Sequence, residues 1–296
     1  MRTLSTEQMY QIIVDKTDQL PSLPSIVYEL LALVNDSMAS LKAYEDLISR
    51  DPSLASQVLK MANSAFYGVP GETDSIQKAI TYLGTEKIYQ IAITATVFEN
   101  LEADDSRFFR IREFWQHSFV TALCSEQLAL ELNFENRSSA FLSGLLHDVG
   151  KIVFQIFNSE SWNQICAYAQ QQETSVFDAE NNLNALKHTE IGYRVCQKWN
   201  FPKEVLLAIR HHHDYDKDFS SHYSADQVKL IDIVSLANIL SHTLNIGHSG
   251  YNIRTEVPLE IVERQNISRK RWVDFLMRLR DQLEASESVM ASLLEN

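Results

Sequence analysis

From Leu23 to Val34 the apolar residues Leu23, Ile26, Val27, Leu30, Leu31 and Val34 recur at spacings of three and four, the repeat of one face of an α-helix. The same kind of stripe returns in Leu54, Val58 and Met61, in Ile88, Ile91, Ala92 and Ala95, and in Trp272, Phe275, Leu276, Leu279 and Leu283. A one-sided helix must bury its stripe against another element, so a chain made of such helices folds by packing helix on helix. Only 8 Gly and 6 Pro punctuate 296 residues, too few for the frequent turns of a sandwich or barrel of short strands. The fold class read from this pattern is all-α.

Local signals divide the chain further. Leu41 to Ile48 reads as a second helix, and Asp51-Pro52 opens the next, with Asp able to cap free amides and Pro suited to the first turn. Tyr67-Gly68-Val69-Pro70-Gly71 is a loop, and Gly84-Thr85 ends one helix and caps another. The acidic, stripe-free segment Glu102-Ala103-Asp104-Asp105-Ser106 marks a boundary between two helical units, drawn at 103/104. Beyond it, helices are expected over Phe108 to Leu132, Ser138 to Phe157 with a break near Gly150, and Ser159 to Gln172. Lys187 to Trp199, Lys203 to His213, Val228 to Leu244 and Arg269 to Leu294 follow, with Asn200-Phe201-Pro202 as a stop and restart.

Composition narrows the function classes. The formal charge of -13 argues against nucleic acid as a direct partner, because binding to phosphate backbones needs a basic face. The densest basic run, Ser268-Arg269-Lys270-Arg271, reads as a solvated helix face. Cys124, Cys166 and Cys196 are odd in number, far apart and set in apolar helical patterns, which indicates neither a disulfide framework nor a zinc knuckle and fits a reducing cytoplasm. Met1 to Gln11 lacks the apolar core of a signal peptide, and no run reaches the roughly 18 uninterrupted apolar residues of a membrane helix, so a cytoplasmic protein without a membrane partner is expected.

The chemistry concentrates in histidines. In Gly144-Leu145-Leu146-His147-Asp148-Val149-Gly150-Lys151 an apolar run delivers an imidazole, a carboxylate and an ammonium to one helix end. Imidazole and carboxylate ligate divalent iron, manganese, zinc or nickel, and a nearby Lys can hold phosphate as a point charge. Adjacent helical residues point about 100 degrees apart, so one cation reaches both only near a helix end, which Gly150 is placed to provide. His117 lies upstream on an apolar helix; His188 and the run His211-His212-His213-Asp214 lie downstream. Singly, each is as easily a core or helix-end histidine. The order His, His-Asp, His, His-His is harder to produce without a common site.

This order resembles the HD superfamily of metal-dependent phosphohydrolases, helical proteins whose ligands come from separate helices. The N-terminal third resembles one branch of it, the HDOD (HD-related output domain) family of bacterial signalling proteins. The residues that carry this are Leu20-Pro21-Ser22-Leu23-Pro24, Ile48-Ser49-Arg50-Asp51-Pro52-Ser53-Leu54, Ala62-Asn63-Ser64-Ala65-Phe66-Tyr67, Ala79-Ile80 and Leu83-Gly84, and the similarity runs from about Leu20 to Leu244. It implies a multi-helix HD-like bundle over 104–296, C-terminal helix included, preceded by a smaller N-terminal helical subdomain over 1–103. By match, His117, His147, Asp148, His188 and His212 are metal ligands for one or two divalent ions, Asp148 and Lys151 the catalytic pair, and Lys151 faces substrate phosphate. The pattern's final ligand is an Asp; here Asn238 stands in its place.

That amide removes a negative charge and a strong oxygen ligand from a site built for dications. The stretch Asp214-Tyr215-Asp216-Lys217-Asp218-Phe219 also lacks the Asp-Gly-x-Gly-Tyr-Pro sequence of the HD-GYP phosphodiesterases, which argues against cyclic di-GMP hydrolysis. The resemblance then implies a regulatory binding module with little or no turnover, whose partner is a signalling protein or a nucleotide ligand. The alternative is a metal-dependent phosphohydrolase acting on a nucleotide or cyclic dinucleotide. An interaction scaffold in which the histidines are structural and Arg269 to Leu294 docks a partner is the third reading.

Overall fold

The computed structural model describes residues 23–69, 71–251, 253 and 256–294, with side chains of the last helix described to Arg280 and at Leu283. Met1 to Gln11, Leu20 to Ser22 and Pro70, on which parts of the sequence reading fall, lie outside the described residues. Thirteen α-helices and no sheet are present among the described residues, with one isolated bridge between Ser106 and Phe109. The all-α expectation holds.

The chain divides into two compact units, one drawn from Ser22–Leu101 with Asp274–Asn296, the other from Glu102–Val273. The division at Leu101 falls at the start of the acidic segment. The second division falls inside the C-terminal helix, between Val273 and Asp274. The apolar stripe explains the grouping, because its buried members Phe275, Leu279 and Leu283 all come after that point.

In the first unit, helices α1 (Ser25–Val34), α2 (Leu41–Ile48) and α3 (Pro52–Ala62) pack on the long α4 (Ile76–Asn100). Asp51 Oδ1 accepts from the amides of Ser53 and Leu54 ahead of Pro52, as the sequence indicates. Gly84, at φ 81° and ψ 164°, breaks α4 internally in a conformation that L side chains rarely adopt.

The second unit contains α5 (Ile111–Glu131), α6 (Arg137–Leu146), α7 (Val149–Gln172), α8 (Val176–Asn182), α9 (His188–Lys198), α10 (Lys203–His211), α11 (Ala225–Leu244), α12 (Leu259–Arg264) and the start of α13 (Arg269–Leu294). Helices α5, α6 and α11 pack together, α9 lies on α7 and α10, and α10 closes on α6 and α11. Asparagine does much of the stopping that glycine usually does. Asn133, Asn184, Asn200 and Asn266 adopt left-handed φ of 48–52°, and the next residue's amide then reaches back to a carbonyl in the last turn, as Phe134 does to Ala129 and Phe201 to Cys196. This is how 8 glycines suffice for so many helix ends.

The Ser138 to Phe157 helix breaks at His147–Asp148, two residues before Gly150, and the expected break between Phe157 and Ser159 falls at Asn158, whose φ of -155° and ψ of 60° are not helical. Gly150 sits in the first turn of α7 for another reason. A Cβ there would collide with the carbonyl oxygen of His188 and lie 2.8 Å from the amide nitrogen of Gly192, so its bare Cα lets α9 approach α7 closely. The stretch 137–172 is long and apolar enough by composition to cross a membrane, yet 89% of its 18-residue apolar window is buried inside the protein. The three cysteines are free and buried.

Gly→Ala in an unconstrained helix stabilises by about 0.4–1 kcal/mol. Gly150→Ala is expected to do the reverse, costing about 1–3 kcal/mol through overpacking against α9. Urea denaturation of the variant beside the parent protein checks the sign.

Candidate metal centre

Asp148 is the hub of the second unit. Helix α6 ends at Leu146 and α7 starts at Val149, so His147 and Asp148 occupy a tight turn in which neighbouring side chains can face one point. His117 comes from the middle of α5, His188 opens α9, His212 and His213 follow the end of α10, and Asn238 lies on α11. His117, His147, Asp148, His188 and His212 have no accessible surface, and Asn238 retains 1%. All six sequence-derived candidates therefore converge.

The carboxylate faces imidazoles on both sides. Oδ2 lies 3.5 Å from Nε2 of His117 and 3.2 Å from Nε2 of His147; Oδ1 lies 3.3 Å from Nε2 of His188 and 3.6 Å from Nε2 of His212. Asn238 Oδ1 is 3.3 Å from Nε2 of His147. Lys151, 3% exposed, places Nζ 2.6 Å from Asp148 Oδ2 and 3.1 Å from Ser249 Oγ.

Each ring is held by its other nitrogen. His147 Nδ1 donates to the Gly144 carbonyl and His212 Nδ1 to that of Ile209, both at 2.8 Å. His188 Nδ1 donates to the Glu180 carboxylate at 2.9 and 3.0 Å, and His117 Nδ1 meets Ser241 Oγ at 3.3 Å. Ser241 spends its own proton on the Asn238 carbonyl, which leaves its oxygen to accept from His117. With Nδ1 fixed as donor, every Nε2 presents a lone pair toward Asp148.

Lone pairs facing a carboxylate in a dry interior call for a cation. Asp148 Oδ1 and Nε2 of His188, His212 and His213 have no hydrogen-bond partner among the described residues, and one ligand atom from each lies within 4.8 Å of the others. A second such group comprises His117, His147 and Asp148. Buried polar atoms are rarely left unpaired. The donor set of imidazole nitrogen and carboxylate oxygen suits iron, manganese, zinc or nickel, so these residues fit a divalent ion.

The charge states of His117 and His212 agree with that fit. Burial pushes the imidazoles of His117 and His212 down to about 4, so both are neutral ligands at neutral pH. Burial, with His212 and His117 respectively adding to it, holds His213 and His242 well below the usual range. Burial also lowers His188, but the Glu180 carboxylate outweighs it and leaves that ring raised. Burial alone would raise Asp148, yet His147 and Lys151 hold it well below the ordinary carboxylate value. Beside the centre opens a cavity of about 580 Å³ whose lining includes Lys151, Asp178, His213, Tyr215, Asn238 and His242.

The HDOD domain model matches residues 20–215. The chain belongs to the HDOD family. The HDOD match ends before α11, so Asn238, Ser241 and His242 lie beyond it. An uncharacterised protein of Treponema pallidum (strain Nichols) is 25% identical over 248 residues, and this HDOD chain, 83% of it matched, spans 46% of that curated relative's length. In fold it is similar to the crystal structure of an HDOD domain protein of unknown function from Geobacter sulfurreducens, at a TM-score of 0.76 and 21% identity over 96% of this chain and 99% of that one. It is also similar to a protein of Shewanella amazonensis SB2B described provisionally as a phosphohydrolase, at a TM-score of 0.72 and 23% identity over 95% and 98% of the two chains.

Sequence reasoning missed Glu180, His213 and His242. Glu180 lies eight residues before His188, across a turn, a spacing with no helical meaning; it also accepts from the His188 amide at 3.0 Å. His213 was visible only as one of three adjacent histidines. Replacing Glu180 with Ala leaves two buried donors unmatched and is expected to cost about 1–3 kcal/mol of stability. Denaturant titration measures it, and an unchanged midpoint would show that His188 is oriented by something else.

Proposed function

We propose that this HDOD protein is a regulatory module built around a divalent-cation centre, with little or no turnover, which binds a small ligand such as a nucleotide beside that centre and passes its state to a signalling protein. The observation that carries the reading is the combination of unpaired ligand atoms with complete burial. Asp148, His188 and His212 each turn an unpartnered atom inward, and none has accessible surface. A catalytic metal keeps one position open to water or substrate, whereas a structural or regulatory one is enclosed.

Two groups sharing Asp148 could hold an ion, His188 and His212 with His213 on one side and His117 and His147 on the other, and His213 and Asn238 line the cavity. A bound divalent ion would supply concentrated positive charge and Lewis acidity. The residues' own part is positional: the Nδ1 anchors fix the rings, Asp148 supplies the charge, and burial excludes water. Lys151 is engaged by Asp148 and Ser249, so its charge is not free for a substrate phosphate as the family resemblance implies. Asn238, an amide, adds no charge.

One observation favours the alternative, a metal-dependent phosphohydrolase: the cavity reaches Lys151, His213 and Asn238, so a substrate could approach the centre from that side. Turnover distinguishes the two. Metal-loaded protein is expected to release phosphate from nucleotides and cyclic dinucleotides far more slowly than the roughly 1 per second at the low end of ordinary enzymes; a rate at or above that sinks the module reading.

Chelation tests the ion itself. At a free manganese or zinc concentration roughly 100 times its Kd, binding stabilises the folded state by about 2.7 kcal/mol. Thermal melts are expected to rise on adding the ion, fall with EDTA, and lose this response in His212→Ala.

A further inference from the structure

The contacts of Asp148 divide the centre into two unequal halves. On the Oδ1 side, four atoms want a partner: Oδ1 itself and Nε2 of His188, His212 and His213. On the Oδ2 side the carboxylate oxygen already has a cation. Lys151 Nζ sits 2.6 Å from Oδ2, its second bond goes to buried Ser249, and Nε2 of His117 and His147 face each other at 3.3 Å with Asn238 Oδ1 beside the latter.

We propose that the Lys151 side chain is the resident cation of the Oδ2 half, so that the centre holds one divalent ion, in the Oδ1 half, and excludes a second. This rests on the metal-binding reading above. Lys151 stands three residues after Asp148 in the first turn of α7, so the helix itself delivers the charge, and the side chain is 3% exposed. A second dication at Oδ2 would have to share the carboxylate with that charge at close range, where burial weakens screening.

The charges around the two halves point the same way. Glu180 lies behind His188 and adds negative charge to the Oδ1 half through the imidazole. Among the described residues the Oδ2 half has no such carboxylate: the group there is the neutral amide of Asn238, and the hydroxyls of Ser241 and Thr121 stand behind His117. An ion therefore gains more on the Oδ1 side. Lys151 thus acts as a positioning residue for the ion and not as a phosphate contact.

Ion count and spin coupling test this without any activity assay. The full chain is loaded with excess manganese(II), freed of unbound ion by gel filtration, and measured by elemental analysis and electron paramagnetic resonance. The parent protein is expected to carry one ion per chain with the spectrum of isolated manganese. Lys151→Met is expected to carry two, with the spectrum of an exchange-coupled pair; if that variant does not fold, Lys151→Gln keeps a donor for Oδ2 without the charge. Two coupled ions in the parent protein, or a single ion retained in the folded variant, overturns the proposal while leaving the metal centre standing. No bound manganese in any of them overturns the centre and this inference together.

Discussion

A carboxylate with no accessible surface is the constraint around which the second unit is arranged. Burying Asp148 alone would cost several kcal/mol even after relaxation; the Lys151 ammonium from α7 offsets part of it, and four imidazoles drawn from α5, the α6–α7 turn, α9 and the end of α10 form with the carboxylate a donor set for a further cation. Those helices cannot be rearranged independently. Each brings a group to the same carboxylate, and α11 adds Asn238 and the Ser241 hydroxyl behind His117.

Close helix packing is what makes this convergence possible. Gly150 lets the start of α9 meet the first turn of α7, and Gly144 lies where a Cβ would press on Ser125 and the backbone of α5. The two glycines flank the His147–Asp148 pair, one on each side of the turn. Their role is to shorten interhelical distance until imidazoles from different helices reach one carboxylate. The outer bonds then fix the rings: backbone carbonyls for His147 and His212, a carboxylate for His188, a hydroxyl for His117. A site held this way is preorganised, since little side-chain freedom remains to be lost when an ion binds.

Much of the fold was legible because helix signals are local. Apolar spacing placed the helices, and Asp51 and Asn200-Phe201-Pro202 marked a start and a stop. The candidate site was legible for a different reason: imidazole and carboxylate are scarce, chemically distinct groups, and their order along the chain survives folding. What could not be read was any feature whose meaning lies in a distance between helices. Gly150 looked like a helix end because glycine does that in sequence, whereas its structural part is a backbone approach from α9. Glu180 carried no signal, since nothing in its spacing ties it to His188.

The amino-acid sequence by itself determined that this protein is helical, that it resembles the HDOD family, and which histidines and aspartate were candidate ligands, because periodicity and residue chemistry are properties of the chain. Only the tertiary structure decided which oxygen of Asp148 each group faces, that Lys151 is spent on that carboxylate, and that His213 joins the unpartnered set. The physical reason is range. Helix formation is settled within a few residues, but the electrostatic state of a buried carboxylate depends on partners 31 residues before it and 64 after, brought within 4 Å only by packing.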